Sequence, residues 1–66
     1  MTREHWDELE LMVDRYSVAE LVAALAKVCR EKAEHIRVNW QDDDTARPWD
    51  RNAARLEAVV PKLVGS

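Results

Sequence analysis

The side chains that could bind a metal are two histidines, and their spacing argues against such a site. Neither His5 nor His35 has a glutamate three residues before it, the spacing with which helical bundles build carboxylate-bridged metal sites. Glu31 precedes His35 by four residues, which predicts a polar pair on one helix face. We therefore predict no metal ligands and no cofactor, and a metal-binding bundle centred on His35, with Glu31 and Asp42, ranks third among the functional alternatives.

Nucleophilic catalysis has equally little support in the residue pattern. Cys29 is the only cysteine and lies in the middle of an apolar stripe, where burial makes a thiol unreactive. Ser17 is expected to cap a helix, and the only glycine, Gly65, is next to last, so no glycine-rich phosphate loop exists. The acidic run 42–44 lacks the spaced ligands of a calcium loop and is expected to be a solvated loop that also contributes to N-terminal capping of the third helix. We predict that the chain is not an enzyme.

A polar patch on the second helix is the first of two candidate binding surfaces. Lys32 and Asn39 fall at the edge of an apolar stripe, with His35 beside them. A buried unpaired lysine is costly, so Lys32 must reach water or an acid. Trp40 or Trp49 could serve as the aromatic anchor of a protein-binding site, because tryptophan is enriched among binding hot spots. Core packing is the simpler expectation for all the tryptophans.

The second candidate is a stripe of arginines on the third helix. Arg47, Arg51 and Arg55 follow one another at four-residue spacing and could contact nucleic-acid phosphates. The whole chain carries a net charge of −3, however, whereas phosphate binding favours a broad basic surface. Residues 1–16 hold five acids and two arginines. The stripe is therefore expected to face water or an acidic protein surface, such as the first helix of a second copy, and nucleic-acid binding is the alternative.

Composition and periodicity predict the elements that position these residues. Hydrophobic residues make up 47% of the 66 residues, with one glycine and two prolines, which favours helices throughout. The patterns predict one all-α domain over 1–66, with helices at about 3–15, 18–40 and 46–60. A short first helix would pack on a long antiparallel hairpin formed by the other two.

Capping residues mark the first two helix starts. Thr2 is placed to cap the first helix. Ser17 and Glu20 form a capping box for the second, in which each side chain bonds the backbone amide of the other residue. The turn between these two helices is therefore expected to be short and well defined.

The third helix is bounded by prolines. Thr45 is the expected cap, because it places Pro48 in the first turn, where a missing amide has no cost. Pro61 should end or kink the helix near Val60. Residues 64–66 are expected to fray.

Each helix carries an apolar stripe at helical spacing. The first consists of Trp6, Leu9, Met12, Val13 and Tyr16. The second consists of Val18, Leu21, Val22, Leu25, Cys29, Ala33, Ile36 and Trp40. The third consists of Trp49, Ala53, Leu56, Val60 and Leu63. We predict that the second stripe forms one continuous buried seam.

Chain length predicts a need for a partner. A domain of this size buries only about 60% of its unfolded surface, so its core is marginal without further support. We predict homodimerisation along the second helix into a larger bundle, and a role as an adaptor, regulator or inhibitor of a larger protein. No apolar run approaches a transmembrane span, and the single cysteine indicates the cytoplasm.

Overall fold

In the computed structural model, which describes all 66 residues, the chain is all-helical. Helix α1 spans Arg3–Tyr16, α2 spans Val18–Trp40 and α3 spans Asp43–Val59, followed by a single 3-10 turn over Val60–Lys62. The predicted fold class and the number of helices are confirmed. The predicted end of α3 near Pro61 is also confirmed, because the α-helical geometry stops at Val59.

Helices α2 and α3 pack closely because alanines line their contact. Ala19, Ala26 and Ala33 of α2 recur at seven-residue intervals. Ala26 and Ala33 lie on the side toward Ala46 and Ala53 of α3, and Ala19 lies against the C-terminal tail that follows α3. All five are buried, and three of them have no exposed surface at all. Small side chains at this spacing let two antiparallel helices approach at close range along a coiled-coil-like seam. This hairpin is the structural core of the molecule.

Ion pairs tie the same two helices together along one side of the seam. Arg30 bonds Glu57 in a two-pronged arrangement and lies 3.6 Å from Asp50. Arg37 reaches Asp50 at 2.5 Å and Asp43 at 2.7 Å. The two arginines and the three acids each repeat every seven residues, so one lattice runs along the hairpin. The pKa of Glu57 is lowered by Arg30, and that of Asp43 by Arg37 and Arg47.

The start of α3 differs from the prediction. Asp42, not Thr45, caps the helix, and its side chain accepts from the Thr45 amide at 3.1 Å. Asp43 and Asp44 then occupy the first turn, where the positive helix end favours acids, and Arg47 pairs with both. The helix therefore begins early enough to place Pro48 inside it. The missing Pro48 amide leaves unpaired only a carbonyl of the exposed first turn, which water can reach.

Helix α1 stands apart from this core. Thr2 caps it as predicted, accepting from the His5 amide at 3.4 Å. No residue of α1 is buried, and the helix does not approach α3. The first helix therefore packs on the hairpin less closely than predicted, and only on α2. α1 lies alongside α2 only loosely, because the alanine seam of α2 is already occupied by α3.

The turn between α1 and α2 is a single residue, Ser17, with φ 88° and ψ 159°. This region is nearly exclusive to glycine, so the turn is strained. The Ser17 hydroxyl accepts from the Glu20 amide at 3.3 Å, which confirms the cap. The reciprocal half of the predicted capping box is wrong, because the Ser17 amide donates instead to the Val13 carbonyl at 3.0 Å.

The C-terminal tail holds this turn in place, although it was expected to fray. The Ala19 amide, in the first turn of α2, donates to the Val64 carbonyl at 3.0 Å. Gly65 follows with φ +93°, and a Cβ atom there would overlap the Ser17 side chain. The Ser66 hydroxyl donates to the Pro61 carbonyl at 2.9 Å. The tail is thus docked onto the turn that sets the direction of α1.

The resulting molecule is flat and open. Its Cα extents are 38 × 29 × 14 Å, and its radius of gyration is 13.8 Å. A compact domain of this length has a radius of gyration of about 11 Å. None of the helices combines the length and the apolar character needed to cross a membrane.

Candidate interaction surface

The largest concavity lies between α1 and α2, which diverge from Ser17 like the arms of a V. It encloses about 450 Å³ and is lined by nine residues, all of them hydrophobic. We call this surface the apolar groove; its lining is Leu9, Met12, Val13, Val18, Leu21, Val22, Ala24, Leu25 and Val28. No polar or titratable side chain lines it.

Helix α2 contributes to the groove through a second seam that adjoins the alanine seam. Val18, Leu21, Leu25 and Val28 are spaced three, four and three residues apart, the coiled-coil pattern. Val18, Leu25 and Val28 each stand one position before a buried residue of α2, so the two seams lie about 100° apart on the helix. We call this second set the free seam. Leu25 is 51% exposed and Val28 46% exposed, so the free seam is open to water.

The single buried stripe predicted for α2 is therefore wrong. The alanines and Cys29 are buried against α3, whereas Leu25 is half exposed and Trp40 is 73% exposed at the helix end. The default expectation of a buried core position also fails for Trp6, which is 61% exposed, while Trp49 is half-buried. The apolar face of α2 is wide enough to contact two other helices. Within the chain, α3 packs closely on one part of this face, whereas α1 covers the other part only loosely.

The free seam becomes polar in its second half, where the predicted polar patch lies. Lys32, His35 and Asn39 continue the spacing of the seam and are all exposed. Asn39 Nδ2 contacts His35 Nδ1 at 3.0 Å and also donates to the His35 carbonyl at 3.1 Å. The expected partner of His35, Glu31, makes no hydrogen bond with it. A shallow depression is lined by Lys32, His35, Glu31 and Val28.

The tryptophans of the predicted site lie outside the depression of the polar patch. Neither Trp40 nor Trp49 lines the depression beside Lys32 and His35. Trp40 ends α2, and Trp49 belongs to the α3 stripe that faces α2. The structure thus brings together the three polar residues of the predicted site but not its aromatic members.

The arginine stripe of α3 is only partly available. Arg47 pairs with Asp43 at 3.1 Å and with Asp44 at 3.0 Å, and these partners raise its pKa. Arg51 and Arg55 are exposed and form no ion pair. Two free arginines one turn apart make a narrow cationic surface compared with the broad one that phosphate binding favours.

The burial pattern shows that much apolar surface stays exposed on this chain, part of it in the apolar groove. Six of 66 residues are buried, five alanines and Cys29, and no large side chain is fully buried. The accessible surface is 5394 Å². A folded monomer of 7.7 kDa exposes about 4,300 Å². About 1,000 Å² of surface is therefore in excess over the whole chain. Leu25, Val28 and Met12 of the groove are exposed, and apolar side chains outside it, such as Trp40 and Leu11, are more exposed still.

No three histidine, cysteine, aspartate or glutamate side chains converge closely enough to share a metal ion. Comparisons with protein-family models, with curated proteins and with solved structures find no match for the chain. The candidate site therefore rests on its geometry alone.

Two features of this surface were missed in the sequence. The lattice of Arg30 and Arg37 with three acids could have been found from the seven-residue repeat that both sets share. The free seam could have been separated from the alanine seam by asking which positions are small enough for close helix approach. Large apolar residues at neighbouring positions then belong to a second contact.

Proposed function

We propose that this chain is a small, non-enzymatic protein–protein interaction module and that the apolar groove is where its partner binds. Such a module would act as an adaptor, regulator or inhibitor of a larger protein. The observation that carries the proposal is the burial pattern: only alanine and cysteine are buried, while large apolar side chains surround one concave surface. Contiguous exposed apolar surfaces of this kind mark interaction sites.

The lining of the groove supports binding rather than catalysis. Catalysis needs a convergent acid, base, nucleophile or metal, usually with perturbed pKa values in a cleft. The pKa shifts of this chain occur among the α2–α3 ion pairs and at the Asp42 cap, none of which lines the groove. A purely apolar cleft supplies burial energy without any group that could exchange a proton.

The shape of the groove defines the chemistry of the partner. Two helices that diverge with apolar inner faces accept the apolar face of a third helix, as in helix-in-groove recognition. The whole chain, not the groove alone, exposes about 1,000 Å² more than a compact domain of its mass, which is enough for the roughly 800 Å² that each partner buries in a standard interface. We further propose the cytoplasm as its location, which the single unpaired Cys29 supports.

Site-specific photo-crosslinking in the cell of origin tests this function whatever the partner is. A photoreactive phenylalanine analogue replaces Leu25 in the groove or, as the matched control, Val38, which is 64% exposed on another face of α2. We expect position 25 to form adducts with one protein identifiable by mass spectrometry and position 38 to form few. Equal labelling at both positions, or none at position 25, would overturn the proposal.

A further inference from the structure

We infer that the partner in the apolar groove is a second copy of this chain, with the free seams of two α2 helices packed antiparallel. This inference rests on the proposed function and names its partner. It commits to a two-fold arrangement in which each α1 covers the flank of the new helix pair. The result is a four-helix core of two α1 and two α2 helices, with an α3 on each outer side.

The exposed area fits one further copy. A monomer with about 1,000 Å² in excess becomes a normally covered domain when it buries that area against an equal surface. Two such surfaces bury about 2,000 Å² together, the upper part of the range for specific interfaces. A two-fold dimer uses the same patch on both chains, so it needs a self-complementary surface. All nine residues that line the groove are apolar, so two copies of it meet without a buried charge or an unpaired polar side chain.

The spacing of the free seam sets the register. Its four apolar members run from Val18 to Val28, a segment about 15 Å long at 1.5 Å per residue. Antiparallel pairing centred on this segment places Val18 against Val28 of the other copy and Leu21 against Leu25. Every large apolar residue of the seam then meets another one, and the seam remains buried over its whole apolar length.

Charge decides between antiparallel and parallel pairing. The polar half of the seam begins at Lys32. Parallel pairing would place the two Lys32 ammonium groups opposite each other, and like charges in contact are destabilising. Antiparallel pairing separates the two Lys32 positions by about 27 Å along the helices. It also places each Lys32 beyond the apolar part of the other copy's seam, where its ammonium group can reach water.

The acids of α1 do not oppose this arrangement. Glu8 and Glu10 border the apolar face of α1, and neither lines the groove. The remaining acids of α1, among them Asp7 and Asp14, lie on the side of the helix away from Leu9. The negative charges therefore stay at the rim or outside, where water screens them.

Sedimentation equilibrium of the full chain at micromolar concentration is the first part of the test. We expect the wild type to be dimeric and Leu25→Glu to raise the dissociation constant at least about 10-fold, because a carboxylate would be buried in an apolar contact. The control Val38→Glu, on another face of α2, should change it less than about 2-fold. Circular dichroism on both variants verifies that the helices remain folded.

Disulfide trapping is the second part and tests the orientation. Val18→Cys and Val28→Cys are made separately in a Cys29→Ala background. Antiparallel pairing places position 18 beside position 28 of the other copy, whereas two copies of position 18 lie about 15 Å apart along the helices. A disulfide needs Cα atoms within about 7 Å. We expect a disulfide-linked dimer from the mixture and little from either variant alone.

The outcomes separate this inference from the function beneath it. A folded wild type that stays monomeric at all accessible concentrations overturns the second copy as partner, while crosslinking of Leu25 to another protein would still support the function. Homodisulfides from Val28→Cys alone overturn the antiparallel orientation. A dimer that Leu25→Glu leaves unchanged shows that the groove is not the contact between the copies and overturns this inference, whereas the function itself is overturned only by the crosslinking outcomes at position 25.

Discussion

Helix α2 carries two seams side by side, and the chain treats them in opposite ways. The seam toward α3 is built from alanines, is buried and is bordered by an ion-pair lattice. The free seam is built from valine and leucine and remains half exposed beside a loosely placed α1. The small residues allow close contact within the chain, whereas the large ones are left for a contact the chain does not complete. Hydrophobic content alone therefore does not identify the core of this domain.

The largest effect on stability is expected from a substitution in the alanine seam. Ala53 has no exposed surface and faces α2, so Ala53→Leu should force the two helices apart and destabilise the fold by about 3 kcal/mol. The adjacent Ala54 is exposed, and Ala54→Leu should change the free energy of unfolding by less than about 0.5 kcal/mol. Urea denaturation at one protein concentration measures both. Equal effects would mean that the seam is not closely packed.

The docking of the C-terminal tail onto the α1–α2 turn gives the next largest expected effect on stability. Gly65→Ala meets the positive φ of that residue and overlaps Ser17, so we expect a loss of about 1–2 kcal/mol. Val64→Ala is the control, because its side chain is exposed and its carbonyl bond to Ala19 is retained. Thermal unfolding would show the difference. A tolerated Gly65→Ala would mean that the tail is not docked in solution.

Two substitutions at Ser17 test whether the turn between α1 and α2 is strained. Ser17→Ala removes the cap of α2 and keeps the unfavourable φ, so it should lower the stability by about 1 kcal/mol. Ser17→Gly also loses the hydroxyl, but glycine adopts φ 88° without strain, so it should be at least as stable as the wild type. The reverse order of stabilities, measured by thermal unfolding, would contradict a strained turn.

The fold was predictable from the sequence to the extent that local signals determine it. The Thr2 and Ser17 caps and the break at Pro61 fixed two helix starts and one end. The start of α3 was missed because Asp42 and Thr45 are both good caps, and the choice depends on Arg37 of α2 and on Arg47, which stabilise Asp43 in the first turn. That preference is tertiary, so local propensity does not report it.

The candidate site was less predictable because periodicity does not say which neighbour each apolar residue meets. Leu25 and Cys29 share one stripe in the sequence, yet only Cys29 is buried. Lys32, His35 and Asn39 were correctly placed together, since their spacing on one helix fixes their proximity. Trp40, at the end of α2, does not line the depression beside Lys32 and His35, and its role in the predicted site stays a prediction.

The ion-pair lattice should make the stability of the α2–α3 hairpin, but not of α1, sensitive to acid. This is the smallest effect we expect. None of the ion pairs involves α1. The arginines lower the pKa values of Asp43 and Glu57 in the folded chain, so the stabilisation is fully present above the ordinary carboxyl range near pH 4. It is lost as the pH falls through the lower folded values, and Tm should therefore decline below about pH 4.

A variant without Arg30 and Arg37 shows whether the ion-pair lattice causes this decline in Tm. Arg30→Gln/Arg37→Gln removes the cations of α2 that lower these pKa values and leaves Arg47 beside Asp43, so its Tm should start lower at pH 6 and fall less between pH 5 and pH 3. Both proteins are compared in the Leu25→Glu background, so that any effect of pH on association through the groove does not contribute. Parallel declines in the two proteins would show that the acid response arises outside the α2–α3 contact. A shallower decline in the double variant would locate the pH-dependent stabilisation on the side of α2 that faces α3. The free seam would then be the part of the helix whose stability depends on a partner.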